Sequence, residues 1–167
     1  MGRLLLGLVG LAFSAGVACA QVRTAGLEAP DWTVYTDRFG TRVDYPAGIF
    51  VADDGAVPRG EGRALRSTDG RARLLVYVEP NREHYTPARF MRSLFTATAS
   101  ETGYKRIAPH FFAVSGLRAS HIYYSRCNFP SGPAGRLHCI YVDYPKTEEK
   151  LWDEIVTRIS LSLRPLR

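Results

Sequence analysis

Cys127 and Cys139 constrain this chain more than any other pair of positions. Cys127 follows one run with alternating side chains, Arg118–Arg126, and Cys139 lies within another, Leu137–Tyr144, and the loop Asn128–Gly135 between them holds two prolines and two glycines. Joining the sulfurs fixes an antiparallel register. It sets Ile122 opposite Tyr144, Tyr124 opposite Val142 and Arg126 beside Ile140 on one mostly apolar face. Tyr123 with Asp143, and Ser125 with Tyr141, then share the other face. A slip of one residue would exchange the faces, so the alternation and the bond support one another. Opposed Cα atoms about 4.5–5.5 Å apart suit a disulfide. The alternative is two free thiols that simply pack.

The disulfide needs an oxidising compartment, and the N-terminus supplies a route to one. Arg3 is a positive n-region, Leu4–Phe13 an apolar stretch, and Ala18-Cys19-Ala20 a small-residue cleavage site. Residues 1–20 are therefore expected to be a signal peptide cleaved before Gln21, with a periplasmic destination by the general export pathway. An uncleaved N-terminal helix is one alternative. Lipidation is another: Cys19 follows Gly16-Val17-Ala18, although Gly16 stands where such signals carry a large aliphatic residue. Residues 21–31 read as a lead-in and 32–167 as a single domain.

Strand-like runs fill that domain. Trp32–Tyr35 and Thr41–Tyr45 flank the turn Arg38-Phe39-Gly40, and Asp53–Gly62 reads as a surface loop. Arg63–Ser67 and Arg71–Glu79 flank Asp69-Gly70, a two-residue hairpin signal. Thr86-Pro87 opens a helix through Phe90, Met91, Leu94 and Phe95, with Gly103 as its expected end. Two strands, Arg106–Val114 and Arg118–Arg126, are expected around a turn at Ser115-Gly116. After Pro145 a second helix is expected, capped by Thr147, with Leu151, Trp152, Ile155, Val156, Ile159 and Leu163 as its apolar stripe. Hairpins with two amphipathic helices indicate an α+β domain with a mainly antiparallel sheet.

Several of these segments carry a family resemblance. Trp32–Tyr35 with Arg38–Pro46, then Ser67–Ala72, Ala113–Gly116, Ile122–Tyr124 and Val142–Pro145, resemble in order a group of small exported bacterial proteins. That group is similar to the PsbP-like α/β/α sandwich, first known in an extrinsic subunit of photosystem II. The resemblance covers about residues 32–165. It implies a PsbP-like fold and a binding or assembly accessory role. The shared motifs are turn and strand signatures, which speak to fold and not to chemistry. No metal or photosystem-contact residue carries over.

Charge and motif content narrow the function. The net charge is +6, but only three of the 22 basic residues are lysine and the arginines are spread along the chain among acids. That pattern fits a GC-rich genome better than a nucleic-acid face, which would cluster its charge. After the leader no apolar run reaches the roughly 20 residues of a membrane-spanning helix. G-x-S-x-G, the phosphate-binding loop, H-E-x-x-H and C-x-x-C are all missing, so no cofactor or metal is implied.

Two constellations remain. A two-residue turn at Asp69-Gly70 would set Arg66 opposite Arg73 with Arg71 alongside, three guanidinium forks suited to phosphate or carboxylate. Solvation, or an acid from the Asp53–Glu61 loop, would answer them equally well. His121 is diagonal to Asp143 across the final hairpin, at roughly 7–8 Å between Cα atoms, a polar pair that brings no nucleophile. Ser125 shares the face of His121 but lies roughly 13 Å along the strand. His138 falls on the opposite face, and its neighbour Cys139 points away from it. The reading is an exported non-enzymatic accessory whose partner is an envelope protein or an anionic ligand. The alternative is a periplasmic hydrolase or transferase with a site near His121 and Asp143.

Overall fold

In the computed structural model, residues 31–95 and 102–165 are described. The expected leader with its Cys19, and the lead-in as far as residue 30, lie outside the described residues. Strands β1 (Trp32–Thr36) and β2 (Thr41–Pro46) form the first hairpin. Asp37 Oδ1 holds its turn by accepting from the backbone N–H groups of Phe39 (2.8 Å) and Thr41 (2.9 Å). Gly40 completes it at φ 81°, a left-handed conformation that is cheap only for glycine.

The larger sheet uses β3 (Phe50–Asp53), β4 (Glu61–Ser67), β5 (Arg73–Pro80) and β6 (Thr102–Ala108). It is completed by β7 (Phe111–Arg118), β8 (His121–Asn128) and β9 (Arg136–Pro145). The order is β3-β4-β5-β9-β8-β7-β6, antiparallel throughout. A short β10 (Arg164–Pro165) pairs with β2 to make a separate three-stranded sheet. Helices α1 (Pro87–Leu94) and α2 (Glu149–Ser162) complete the α+β architecture.

Period-two alternation gives the large sheet two buried faces. On one, Leu74, Val76, Ile140 and Val142 meet Trp152, Ile155 and Ile159 of α2 and Val43 of β2. On the other, Leu75, Tyr77, Phe112, Val114 and Leu137 meet Phe90 and Met91 of α1. The central β9 feeds both cores. Its register with β8 is the one that joining the cysteines requires: Ile122 opposite Tyr144, Tyr123 opposite Asp143 and Cys127 opposite Cys139.

Several local expectations are corrected. Phe50–Asp53 is an edge strand and Glu61–Gly62 belongs to β4, so the surface loop is shorter than Asp53–Gly62. The hairpin register is as expected, but Thr68–Arg71 form a four-residue loop, because Ser67 Oγ accepts from Ala72 N (2.8 Å) and donates to Asp69 Oδ1 (2.6 Å). Helix α1 is capped by Thr86 as expected yet ends at Leu94, and Gly103 lies inside β6. The expected strand Arg106–Val114 is two strands, since Pro109 has no N–H for the ladder. Ser115-Gly116 lies inside β7, and Ala119 at φ 53° makes the turn instead.

The second helix is also corrected. It follows a 3-10 turn at Lys146–Glu148, and Glu148, not Thr147, occupies the cap position. Glu148 Oε2 accepts the indole N–H of Trp152 (3.1 Å). Trp152 packs on Phe50 and Tyr144, with ring centres 5.6 and 5.4 Å away, which turns the adjacent Leu151 outward and exposes it.

Candidate functional site

The face that α1 covers only in part gathers most of the residues nominated above. Register sets Arg66, Arg73, Asp143 and Tyr123 in one row across β4, β5, β9 and β8. One row inward are Leu75, Tyr141 and Ser125, and one row outward Arg118 faces His121. Between these rows and the end of α1 opens a cleft of about 320 Å³. Leu75, Tyr77, Tyr141, Leu94 and Phe95 form its apolar lining, and Arg59, Arg73, Arg118 and Asp143 its charged side.

The aromatic wall is ordered by stacking. Phe95 lies on Tyr123 at 5.3 Å between ring centres, and Tyr123 lies near-parallel to Tyr141 at 6.4 Å. The Arg118 guanidinium sits over the Tyr123 ring, 5.5 Å from its centre, a cation–π contact. Tyr123 is buried and Phe95 half-buried, so the stack fixes where the end of α1 meets the sheet.

Asp143 is half-buried, and that burial pushes its carboxyl above the ordinary range. His121, Arg73 and Arg118 pull in the opposite direction. Among the described residues no cation comes within 4.0 Å of it. Burial and then Asp143 raise Tyr141, and burial raises Tyr77. Arg73 Nε is buried with no hydrogen-bond partner. Arg59 is engaged with Glu79 (3.2 Å).

The hairpin arginines divide between two sets of acids. Arg66 and Arg73 oppose each other, and both lie on Asp53, at 3.5 and 3.9 Å. The Gly55 N–H, and then these arginines, hold the Asp53 carboxyl low. Arg71 pairs with Asp69 (2.9 Å) and with Glu148 across the chain. Only Arg73 of the three lines the cleft.

His121 is diagonal to Asp143 by register, with no hydrogen bond between them among the described residues. Ser125 is 1% exposed and donates to the Ile140 carbonyl (3.2 Å). His138, on the opposite face, is buried with Nδ1 2.8 Å from Thr41 Oγ1. The Cys127 and Cys139 sulfurs lie 2.01 Å apart, at disulfide distance, with Cα atoms 4.1 Å apart in the α1-side core. Among the described residues no three His, Cys, Asp or Glu side chains gather as a metal site. No helix there is long and apolar enough to cross a membrane.

Sequence reasoning missed Arg59, Arg118, Tyr141, Leu94 and Phe95. Of these, Tyr141 alone had a signal, in the disulfide register that sets it on the face of Asp143. Arg118 comes opposite His121 because the chain turns at Ala119 and not at Ser115-Gly116.

The architecture can be compared with known proteins. The solution structure of cyanobacterial PsbP (CyanoP) from Synechocystis sp. PCC 6803 superposes with a TM-score of 0.59 at 14% identity, over 84% of this chain and 96% of that one. The fold is PsbP-like. The Saccharomyces cerevisiae Ran-binding protein Mog1p superposes with a TM-score of 0.57 at 9% identity, over 82% of this chain and 96% of its own. No family model matches the sequence, and no curated protein matches it.

Proposed function

We propose that this chain is an exported, non-enzymatic binding or assembly accessory of the periplasm. Its α1-face cleft receives an anionic, partly apolar ligand or a segment of that chemistry on an envelope protein. The observation that carries the reading is the cleft itself. An apolar wall of Leu75, Leu94, Phe95 and Tyr141 meets Arg118 and Arg73, and Arg73 shares Asp53 with Arg66, so three guanidinium charges stand against the two carboxylates of Asp53 and Asp143. A ligand with an anionic end would answer the remaining positive charge while its apolar part covers the aromatic wall. Arg66, which shares Asp53 with Arg73, extends the anion-attracting surface beyond Arg73, whereas Arg71 is engaged by Asp69 and Glu148.

The PsbP-like fold is compatible with such a role, and one neighbour is named as a Ran-binding protein. The disulfide-distance cysteines are compatible with export. A hydrolase or transferase working through a covalent intermediate at His121 and Asp143 would need a nucleophile within hydrogen-bond reach. Ser125, the hydroxyl on that face, is committed to Ile140.

Anilinonaphthalene sulfonate, an aromatic anion, tests the cleft. Saturable fluorescence enhancement is expected with the native protein, weakened about tenfold in Arg73→Gln/Arg118→Gln. Equal enhancement in both proteins would contradict the reading.

A further inference from the structure

The opposite face of the sheet carries a second cluster of cations. Ala113 of β7 pairs with Arg106 of β6 on one side and Arg126 of β8 on the other, so both arginines stand on one face. Both guanidinium groups lie over the same ring: Arg126 is 4.5 Å and Arg106 5.5 Å from the centre of Phe111. Beside them is a cleft of about 640 Å³, lined by Phe111, Arg126, Asn128, His110 and Arg164.

Several arginines elsewhere do meet acids. Arg38 pairs with Glu61, Arg59 with Glu79, Arg66 and Arg73 with Asp53, and Arg71 with Asp69 and Glu148. Among the described residues no carboxylate lies within 4.0 Å of Arg106, Arg126 or Arg164. Two like charges on one ring, one of them half-buried, repel each other without a counter-charge. Burial lowers the pKa of Arg126 and Arg106 lowers it further, in keeping with that repulsion.

Arg126 is also held in place. Its Nε donates to Asn128 Oδ1 (3.0 Å), and Asn128 Nδ2 donates to the Leu163 carbonyl (2.9 Å), which ties the guanidinium to the end of α2. This uses the Nε–H and leaves both terminal nitrogens without a protein partner among the described residues. A fixed guanidinium with its fork unoccupied is preorganised for an oxyanion.

We propose that Arg126 and Arg164 of this cleft, with Arg106 over the Phe111 ring beside them, bind a phosphate-bearing ligand. A single carboxylate can occupy one guanidinium fork, whereas a phosphate or pyrophosphate group offers the charge and the acceptors to bridge several. The phosphate belongs either to a lipid headgroup or to a soluble phosphorylated molecule.

Calorimetric titration with inorganic pyrophosphate, and sedimentation with phosphatidylglycerol vesicles against phosphatidylcholine vesicles, test the site. Arg106 and Arg164 are exposed, so Arg106→Gln/Arg164→Gln should keep the native circular dichroism spectrum. Saturable pyrophosphate binding is expected, at least tenfold weaker in this variant and in Arg126→Gln, and unchanged in Lys150→Gln, an exposed position on α2. Sedimentation with phosphatidylglycerol alone, also lost in Arg106→Gln/Arg164→Gln, would put the phosphate on a lipid. Pyrophosphate binding without sedimentation would put it on a soluble ligand. Absence of both, or binding equal in native protein and Arg106→Gln/Arg164→Gln, would overturn the proposal.

Discussion

Arg73 of β5 and Asp143 of β9 stand directly opposite each other in the sheet, yet among the described residues no ion pair joins them. Arg73 Nε lies instead 3.9 Å from Asp53. The carboxylate of Asp143 is thus surrounded by positive charge without being neutralised by contact, and burial dominates its titration.

A pH dependence follows from that dominance. The folded carboxyl titrates above its ordinary value of 3.8, so between the two values the native state holds the proton more tightly than the unfolded chain. Asp143 therefore favours the fold below 3.8, and this contribution is lost as the pH rises through the folded pKa. Asp143→Asn is expected to raise the melting temperature at pH 7 and to leave it nearly unchanged at pH 3. A fall at pH 7 would show that Arg73 and Arg118 outweigh burial.

His138 acts in the opposite sense. Burial holds its pKa below 6.5, so its neutral form belongs to the fold. Stability present at neutral pH is lost as the pH falls below 6.5 towards the folded pKa, where the unfolded chain binds the extra proton. His138→Ala leaves Thr41 Oγ1 without its 2.8 Å partner, at a cost of about 1–3 kcal/mol. Urea unfolding between pH 7.5 and 5.5 measures both, and His138→Gln should flatten the dependence.

The cysteine pair is expected to be oxidised in the mature protein. Closing a loop of this size is worth about 3 kcal/mol in the chain-entropy model. Reductant should lower the urea midpoint by the corresponding amount, and Cys127→Ala/Cys139→Ala should be insensitive to it. Thiol titration of the denatured, unreduced protein should find no free thiol after the leader; two per chain would contradict the bond.

Export is expected to remove residues 1–20. Mass spectrometry of the protein from its native host should give a chain beginning at Gln21. A diacylated chain beginning at Cys19 would make the protein membrane-anchored instead.

The β8–β9 register was legible because alternation and two cysteines specify the same pairing. The hairpin of Arg66 and Arg73 was legible because Asp69-Gly70 gives a local turn signal. Where local signals misled, backbone chemistry explains it. Ser115-Gly116 has turn composition, but Pro109 and the left-handed Ala119 set the ends of β7. The cleft was not legible at all. Arg73, Leu94, Arg118 and Asp143 come from four separate parts of the chain, and only the non-local pairing of β5 with β9 brings Arg73 to Asp143. No spacing in the sequence encodes that neighbour.

Site-specific photo-crosslinking in the native host tests the central claim most directly. A benzophenone side chain placed at Leu94, in the cleft, is compared with one at Leu161, which is 72% exposed on α2. A discrete adduct is expected from Leu94, reduced by Arg73→Gln/Arg118→Gln, and none from Leu161. The same adducts from both positions, or none from Leu94, would contradict a binding role for this cleft.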